Sequence, residues 1–417
     1  MAYTPLRSID GILADTWWYG LTKRLSAADF RRLATLRAQQ GFNAVQLVAG
    51  IPPEVGPASP HAASDVGVAW TPDGRFNDAY LKLARDRITL LNSHGLRALV
   101  YGAWGHQIGW LGRERMTTWW QLLVRNLDDL DVVYCLTGEL TLWVGQEDLL
   151  LPDKSTDVLT GRRRSLPWLL RRLPRRALGT LHGLAARDPR RRRRMQQRKI
   201  DWTFVLEQLA ASTDRPILVH PNALESGRDS VLSPDVLAAD TTQTGHSYET
   251  RDLLWQMPLR SRGRFINLEP WYEGIHGQFG PSDQLYAFWV SVLAGATGYC
   301  YGAHGIWNVG DGTFLAHWGT QTFAAAMELE TPWLLGDSNA IFQQWGGRGE
   351  SVHAIDGGVL TMIGRCDGDD AIRFFPDVRE TSTLPAGRYW LPRRGCFATD
   401  PPVSGAVVVL SGSAATL

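Results

Sequence analysis

This sequence has almost no net charge, few cysteines and no long apolar run. Lys+Arg 43 against Asp+Glu 42 give a formal net charge of +1, so no global field selects nucleic acid or an acidic membrane as a partner. Nowhere do about 18 apolar residues run together, so no membrane span is expected. The N-terminal segment also lacks the uninterrupted apolar stretch of a signal peptide, and we expect a cytoplasmic protein.

The 4 cysteines, Cys135, Cys300, Cys366 and Cys396, are too few and too scattered for a disulfide framework, and they lack the CxxC spacing of a metal site. A single bridge is compatible with the sequence, but free thiols in a reducing compartment are the favoured interpretation. No GxSxG, HExxH or P-loop motif is present, and we expect neither a catalytic metal nor a cofactor.

A regular alternation of short apolar runs and longer amphipathic stretches extends from about residue 12 to about residue 335, which is typical of βα units around a parallel sheet. We predict strands at 11–15, 43–48, 97–102, 132–137, 216–220, 236–239, 264–268 and 298–301. Helices are predicted at 27–40, 78–94, 116–127, 202–212, 250–257, 282–294 and 320–329, with Ser26, Asn77 and Ser282 near N-termini. The prediction is an α/β chain with a (β/α)₈ TIM barrel over 1–340.

The last part of the chain, 345–417, has a different texture. Short alternating runs at 352–355, 359–364, 371–375, 387–391 and 406–410 are separated by DGG, DGDD and PAG turns. This pattern predicts a small antiparallel β-sandwich domain with an accessory role.

An Arg-rich insertion at about 150–199 is too long for an ordinary βα loop. From Arg162 onward Asp188 is its only acid, and its leucines suggest amphipathic helices. Three interpretations stay open. The insertion recognises a charged glycan, such as one bearing uronic acid or phosphate, or it binds an anionic surface or a second copy in a homo-oligomer, or it is simply solvated.

The chain has 18 tryptophans, several of them in loops beside Gly, His and Glu. Exposed tryptophan suits a carbohydrate cleft because sugars present flat apolar C–H faces; the alternative is that many of these side chains are core. In a parallel barrel the site lies at the C-terminal strand ends. The strand-end residues expected to bind substrate are Asp15, Trp17, Trp18, Gln46, Trp104, His220, His246, Trp271, Tyr272, Tyr301, His304 and Trp307.

The fourth and seventh predicted strands each end in a glutamate, Glu139 and Glu269. Desolvating a charge is costly, so a buried strand does not end in a carboxylate without reason. Glycoside hydrolysis needs one carboxyl to protonate the leaving oxygen and another to attack or to activate water, roughly 5–5.5 Å apart in retaining enzymes. Strands four and seven face each other across the barrel mouth at about that span. The alternative is a salt bridge from each glutamate to a neighbouring arginine.

Several motifs occur in a recognisable order: DTWW, a Ser-Ala-Ala-Asp-Phe helix start, GFNAVQL, the fourth-strand glutamate, HP, QTGHS, INLEPWYEG and YGAHGIWN. Over roughly residues 12 to 335 they resemble the apiosidase-like family of glycoside hydrolases, and the tail resembles the small β-domain commonly appended to that family. The resemblance implies a retaining mechanism with Glu139 as acid/base and Glu269 as nucleophile. The family often has Asp rather than Glu on the fourth strand.

We therefore expect a retaining glycosidase, exo-acting on a terminal furanose or small pyranose of a plant or bacterial glycan. Glu269 should be held ionised by a donor from Tyr301, His246 or His220, and an apolar wall or the other carboxylate should raise the pKa of Glu139.

Other interpretations stay open. Trp17 or Trp18 belongs to the core, His220 only caps the fifth strand, or His304 is a structural hydrogen-bonding residue. For the whole chain the alternatives are a non-catalytic carbohydrate-binding barrel, or a uronate-processing lyase with Tyr101 or Tyr301 beside the substrate.

Overall fold

A computed structural model of the chain describes residues 9–144, 189–223, 225–261, 263–379 and 382–413. Its first part is built on eight parallel strands. These are β1 (Ile12–Trp17), β2 (Ala44–Val48), β3 (Arg97–Tyr101), β4 (Val132–Cys135), β5 (Ile217–Leu218), β6 (Asp240–Gln243), β7 (Phe265–Glu269) and β8 (Gly298–Tyr301). They pair in the order β5-β4-β3-β2-β1-β8-β7-β6, and a parallel bridge between Ala223 and Gln243 joins the two ends of the sheet. The predicted TIM barrel is confirmed.

Helices alternate with these strands on the outside of the barrel. They are α1 (Ala27–Gln39), α2 (Asp78–Ser93), α3 (Ile108–Leu111), α4 (Arg113–Leu127), α5 (Leu140–Val144), α6 (Pro189–Ala210), α7 (Leu253–Arg260), α8 (Pro281–Leu293), α9 (Phe323–Met327) and α10 (Thr331–Trp345). The predicted N-caps Ser26 and Asn77 are confirmed, because their side chains accept the backbone N–H groups of Asp29 and Tyr80.

Several predicted elements differ from the structure. The predicted helix 202–212 begins earlier, since α6 spans Pro189–Ala210. The apolar run 236–239 is wrong as the sixth strand, since β6 begins at Asp240 and Pro234–Val236 forms a 3-10 turn. The sequence of this strand is polar. It can lie in the barrel because the buried hydroxyl of Thr241 donates to the carbonyl of Val219. The predicted helix 320–329 is shorter, and the long helix α10 follows it unpredicted.

The C-terminal part is antiparallel, as predicted. Its strands are β9 (Glu350–Asp356), β10 (Val359–Asp367), β11 (Asp370–Val378), β12 (Arg388–Leu391), β13 (Cys396–Ala398) and β14 (Gly405–Ser411). Among the described residues they form one six-stranded sheet, ordered β13-β12-β14-β11-β10-β9. Helix α8, and not the second sheet of the predicted sandwich, packs against this sheet. Phe374 of β11 stacks on Trp289 of α8, with ring centroids 6.3 Å apart.

Most of the Arg-rich insertion lies outside the described residues. Its final part forms the beginning of α6, where Arg198 donates to the carbonyl of Trp143 at 3.1 Å and lies over that indole ring. The insertion therefore rejoins the barrel beside α5, the short helix that directly follows Glu139. No helix in the described ranges combines the length and apolar character needed to cross a bilayer.

Candidate active site

A cleft opens at the carboxyl ends of the barrel strands. The lining side chains are aromatic, acidic and polar, and they are Trp18, Pro53, Glu54, Trp104, Glu139, Gln243, His246, Glu269, Tyr272, Ile275, Trp307 and Trp318. The two glutamates predicted from strands four and seven therefore face one cavity.

Glu269 is the last residue of β7 and is almost fully buried. Its Oε1 accepts hydrogen bonds from Gln243 Nε2 at 2.6 Å and from His246 Nε2 at 3.1 Å. Burial on its own raises the pKa of this carboxyl, but the hydrogen bond from His246 and the positive charge that His220 gains at low pH outweigh burial, and the net pKa lies below its usual value. The side chain is thus held as a carboxylate.

The proton on His246 can be placed from its two contacts. Its Nδ1 accepts the backbone N–H of Tyr272 at 3.3 Å, so the neutral ring carries its proton on Nε2. That Nε2–H group donates to Glu269. The loop after β7 therefore fixes the tautomer that keeps the carboxylate paired.

His220 follows β5 and connects the two glutamates. Its Nδ1 accepts the backbone N–H of Glu139 at 3.1 Å, and its Nε2 lies 3.5 Å from Glu269 Oε2. Full burial lowers the pKa of His220 to about 4, although the Glu269 charge acts in the opposite direction. The ring is therefore neutral near pH 7, with its proton on Nε2 facing Glu269.

Glu139 is half-buried and has a left-handed backbone, with φ 46°. This conformation is uncommon outside glycine and is often found at functional sites. The indole N–H of Trp104 donates to Glu139 Oε2 at 2.9 Å. The residue before it, Gly138, packs so closely on the Trp104 ring that a Cβ there would lie 2.6 Å from it. The carboxyl group is thus positioned from both the β3 and the β5 ends of the barrel.

The family model "Apiosidase-like, catalytic domain" matches residues 12–344, most of the chain. The chain belongs to this apiosidase-like family. Membership makes it a glycosidase that acts on carbohydrate, as the sequence motifs predicted. No curated protein has a sequence that matches the chain.

Solved structures resemble the apiosidase-like chain at low sequence identity. One described as "Glycoside hydrolase" has a TM-score of 0.68 at 14% identity and covers 96% of this chain and 92% of its own. A glycoside hydrolase family 5 structure from Bacteroides vulgatus has a TM-score of 0.69 at 14% identity, covering 97% of this chain and 89% of its own. At such identities the similarity shows a shared fold alone.

Half of the predicted substrate-binding residues lie at the cleft of the apiosidase-like chain. Trp18, Trp104, His246, Tyr272 and Trp307 line it. His220 lies behind them in contact with both glutamates. The aromatic members form the walls, and Trp18 packs edge-on against Trp104 with ring centroids 5.2 Å apart.

The other predicted residues lie outside the cleft lining, and most hold the barrel together. Asp15 pairs with Arg37 at 2.6 Å, and both side chains are fully buried. Gln46 donates to the carbonyl of Leu268 inside the barrel, and the Tyr301 hydroxyl donates to Glu273 rather than to Glu269. The remaining three are buried against neighbouring aromatic rings, and they are Trp17, Trp271 and His304.

Five lining residues were not among the predicted site residues: Pro53, Glu54, Gln243, Ile275 and Trp318. Gln243 is the last residue of β6, so a search for polar residues at strand ends finds it once that strand is placed correctly. The other four lie deeper in the loops after β2, β7 and β8, where a search restricted to strand ends does not reach. Within the described residues no group of three or more His, Cys, Asp or Glu side chains is arranged to hold a metal ion.

Proposed function

We propose that this apiosidase-like chain is a retaining, exo-acting glycosidase in which Glu269 is the nucleophile and Glu139 the acid/base. The observation that carries the proposal is the contact of His220 with both residues across one cleft. A retaining mechanism needs one carboxyl ionised and a second able to exchange a proton. The surroundings of Glu269 favour an ionised carboxylate, and the half-buried position of Glu139 allows its carboxyl group to exchange a proton.

Glu269 has the environment of a nucleophile. Its carboxylate is buried, its pKa is kept low chiefly by the hydrogen bond from His246, and Gln243 on β6 donates to the same oxygen. These donors leave the oxygen on the His220 side with a weaker contact, at 3.5 Å. An attack on the anomeric carbon of the sugar by this carboxylate would form the glycosyl–enzyme intermediate of the double-displacement mechanism.

Glu139 has the environment of an acid/base. Its side chain is half-exposed, so it can exchange protons with water between the two steps. The Trp104 N–H donates to Oε2 and so orients a carboxyl group that lines the cleft. In the first step the acid protonates the leaving oxygen, and in the second step the same group takes a proton from the attacking water.

The aromatic walls of the cleft support a sugar as the group that is bound. Four tryptophans, Trp18, Trp104, Trp307 and Trp318, offer flat faces for sugar C–H groups. We propose a terminal furanose or small pyranose of a plant or bacterial glycan as the group removed.

The two alternative functions have less support. In a lyase, Tyr101 or Tyr301 would act near the substrate, yet both are buried and donate to Gln46 and Glu273. In a non-catalytic barrel, Glu269 would be neutralised by arginine, whereas its contacts are with Gln243 and two histidines. Oligomerisation through 150–199 and a cytoplasmic location stay predictions.

The test is hydrolysis of a panel of aryl glycosides by wild type, Glu269→Ala and Glu139→Ala. The panel contains an apiofuranoside, arabinofuranosides, a galactoside, a rhamnoside and a glucuronide. We expect Glu269→Ala to lose activity by about 10⁴-fold or more, and azide to restore it with formation of a glycosyl azide of inverted configuration. With Glu139→Ala, azide should give the retained configuration.

Activity that survives both substitutions would show that neither glutamate is catalytic. A matched control is Glu249→Gln, which removes a carboxylate from the exposed surface of the loop after β6 without altering the cleft lining. That variant should retain the wild-type rate.

A further inference from the structure

Trp318 lies in the loop after β8 and lines the same cleft as Glu139 and Glu269. It is half-buried, and its ring meets the imidazole of His246 edge-on, with ring centroids 6.2 Å apart and 72° between the two planes. His246 is the residue whose Nε2–H donates to the proposed nucleophile. Trp318 therefore contacts the residue that holds Glu269, in addition to offering a face to the sugar.

The imidazole of His246 packs against two aromatic rings that come from different loops. Tyr272, after β7, lies with its ring centroid 4.9 Å from that of His246, and its backbone N–H donates to His246 Nδ1. Trp318 contacts the imidazole from the loop after β8. A histidine side chain turns about two torsion angles, and contacts with two rings restrict it to the orientation in which Nε2 faces Glu269.

The loop that carries Trp318 is fastened to the loop after β7. The backbone N–H of His276 donates to the Trp318 carbonyl at 2.6 Å, and the centroids of their rings lie 5.4 Å apart. His276 has a φ of 53°, a left-handed conformation that is uncommon outside glycine. Gly319 lies so close to the carbonyl oxygen of Gly274 that a Cβ there would be 3.1 Å from it. These contacts fix the position of the indole relative to His246.

The pKa of Glu269 depends on where the imidazole of His246 points. Among the described residues, the titratable side chains that interact with Glu269 or share its cleft come from five strand ends, and they are His220, His246, Tyr272, Glu54 and Glu139. Burial raises the pKa of Glu269, and the hydrogen bond from His246 is the strongest of the contacts that lower it. If the imidazole turns away, the pKa of Glu269 therefore rises.

Trp318 carries no charge, so it can alter this pKa in two ways only. Its removal can release His246, which raises the pKa of Glu269, or it can admit water to the carboxylate, which lowers that pKa because burial is relieved. The two effects have opposite signs. The direction in which the pKa moves thus tells whether the indole acts through His246.

We propose that Trp318 is a positioning residue for the nucleophile, which acts through His246: the indole holds the imidazole in the orientation that keeps its Nε2–H on Glu269. The inference rests on the proposed function, because it concerns the glutamate assigned there as nucleophile. Stacking of Trp318 on the sugar is a separate role, since that contact alters substrate binding and leaves the ionisation of Glu269 in the free enzyme unchanged.

The experiment measures kcat/KM against pH for wild type, Trp318→Ala, Trp318→Phe and His246→Phe, on the glycoside that the panel identifies. On the acid side of the profile, the fall of kcat/KM reports protonation of the nucleophile in the free enzyme. We expect this fall to begin at higher pH in His246→Phe, which loses the donor, and in Trp318→Ala. Trp318→Phe keeps a ring and should shift it less. In Trp318→Ala, kcat should also fall about tenfold, because the carboxylate is less well oriented.

A double variant shows whether the two residues act together. If Trp318 acts through His246, adding Trp318→Ala to His246→Phe moves the acid side of the profile no further. The matched control is Trp333→Ala, since Trp333 is a tryptophan of α10 that is 47% exposed and lies outside the cleft lining. Its pH profile should coincide with that of wild type.

Two results for Trp318→Ala would overturn the inference. An unshifted acid side, with KM alone increased, would mean that the indole only binds the sugar. A shift to lower pH would mean that its removal merely hydrates Glu269. Shifts that add in the double variant would likewise show that Trp318 does not act through His246.

A measurement without turnover separates this inference from the proposed function. The carboxyl carbon of Glu269 is titrated by NMR in protein labelled at its glutamates, and its signal is identified by its absence from Glu269→Gln. A midpoint at higher pH in Trp318→Ala than in wild type supports the positioning role, whether or not Glu269→Ala is active. Equal midpoints, together with an inactive Glu269→Ala, would refute the role of Trp318 and leave the mechanism standing.

Discussion

His220 is the residue that contacts both Glu139 and Glu269. Its Nδ1 accepts a hydrogen bond from the backbone N–H of Glu139, which helps to hold that residue in its left-handed conformation, and its Nε2–H faces Glu269. Both interactions require a neutral ring, and burial secures it by lowering the pKa of His220 to about 4. We therefore propose that His220 positions Glu139 and Glu269 and does not donate a proton to the substrate.

This pKa has a consequence for stability. In the unfolded chain His220 takes up a proton as the pH falls below about 6.5, whereas in the folded chain it does so only near the lowered value. Neutral His220 therefore makes its full contribution to the free energy of unfolding above about pH 6.5, and that contribution decreases as the pH falls toward 4. The loss is on the order of 3 kcal/mol.

We expect His220→Asn to lack this part of the pH dependence while keeping an acceptor for the Glu139 amide. Urea unfolding of wild type and variant at about pH 7 and about pH 4.5 measures it. The control is His353→Asn, at an exposed position in the C-terminal sheet. An equal fall in unfolding free energy for wild type and His220→Asn would contradict the assignment.

Trp104 donates to Glu139, and Trp104→Phe keeps the ring while removing the donor. We expect kcat to fall about tenfold on substrates with poor leaving groups, because these depend on protonation of the leaving oxygen. Activated nitrophenyl glycosides should be affected much less. Steady-state rates across a series of leaving groups test this, and a uniform loss would indicate a purely structural role for the N–H group.

At the scale of elements, the junction of β4 with its loop decides the position of Glu139, the proposed acid/base. Gly138 is required there because its Cα approaches the Trp104 ring too closely for any Cβ. Gly138→Ala should displace the indole and lower both kcat, by about tenfold or more, and the Tm. The control is Gly280→Ala, where a Cβ meets nothing within 4 Å and φ is −69°. A Gly138→Ala variant with wild-type kcat would contradict this account of the junction.

The same scale shows what the sequence predicts well. The strands that precede the two candidate carboxylates were found because β4 and β7 are apolar runs that polar residues follow or end, and both glutamates line the cleft. Strand β6 was misplaced because Thr241 and Thr242 satisfy their hydroxyl groups within the barrel, which an apolarity criterion does not detect. Glu54 and Trp318 reach the cleft only through loop conformations that depend on tertiary contacts.

At the scale of the whole molecule, the C-terminal sheet is packed on the barrel and shares its core. Phe374 of β11 lies against Trp289 and Tyr286 of α8, and Ser351 of β9 donates to the carbonyl of Leu293 at 2.6 Å. The antiparallel strands were predictable from their alternation and turns. Their docking on α8 was not predictable, because the residue pattern of a strand does not indicate which surface the sheet packs against.

Phe374→Ala should destabilise the chain by about 3–5 kcal/mol, as expected for a large aromatic side chain removed from a core. Val403→Ala is the matched control, since Val403 is 63% exposed and its truncation should cost less than about 0.5 kcal/mol. The free energy of unfolding in urea measures both. Equal values for the two variants would mean that the sheet does not stabilise the barrel through this contact.

The most direct test of the central claim is to trap the covalent intermediate. The protein is incubated with the 2-deoxy-2-fluoro analogue of the glycoside that it cleaves, and the labelled peptide is identified by mass spectrometry. We predict a single adduct on Glu269, formed by wild type and absent from Glu269→Ala. An adduct on another residue, or hydrolysis with inversion and no adduct, would contradict the assignment of Glu269 and Glu139 as the nucleophile and acid/base of a retaining glycosidase.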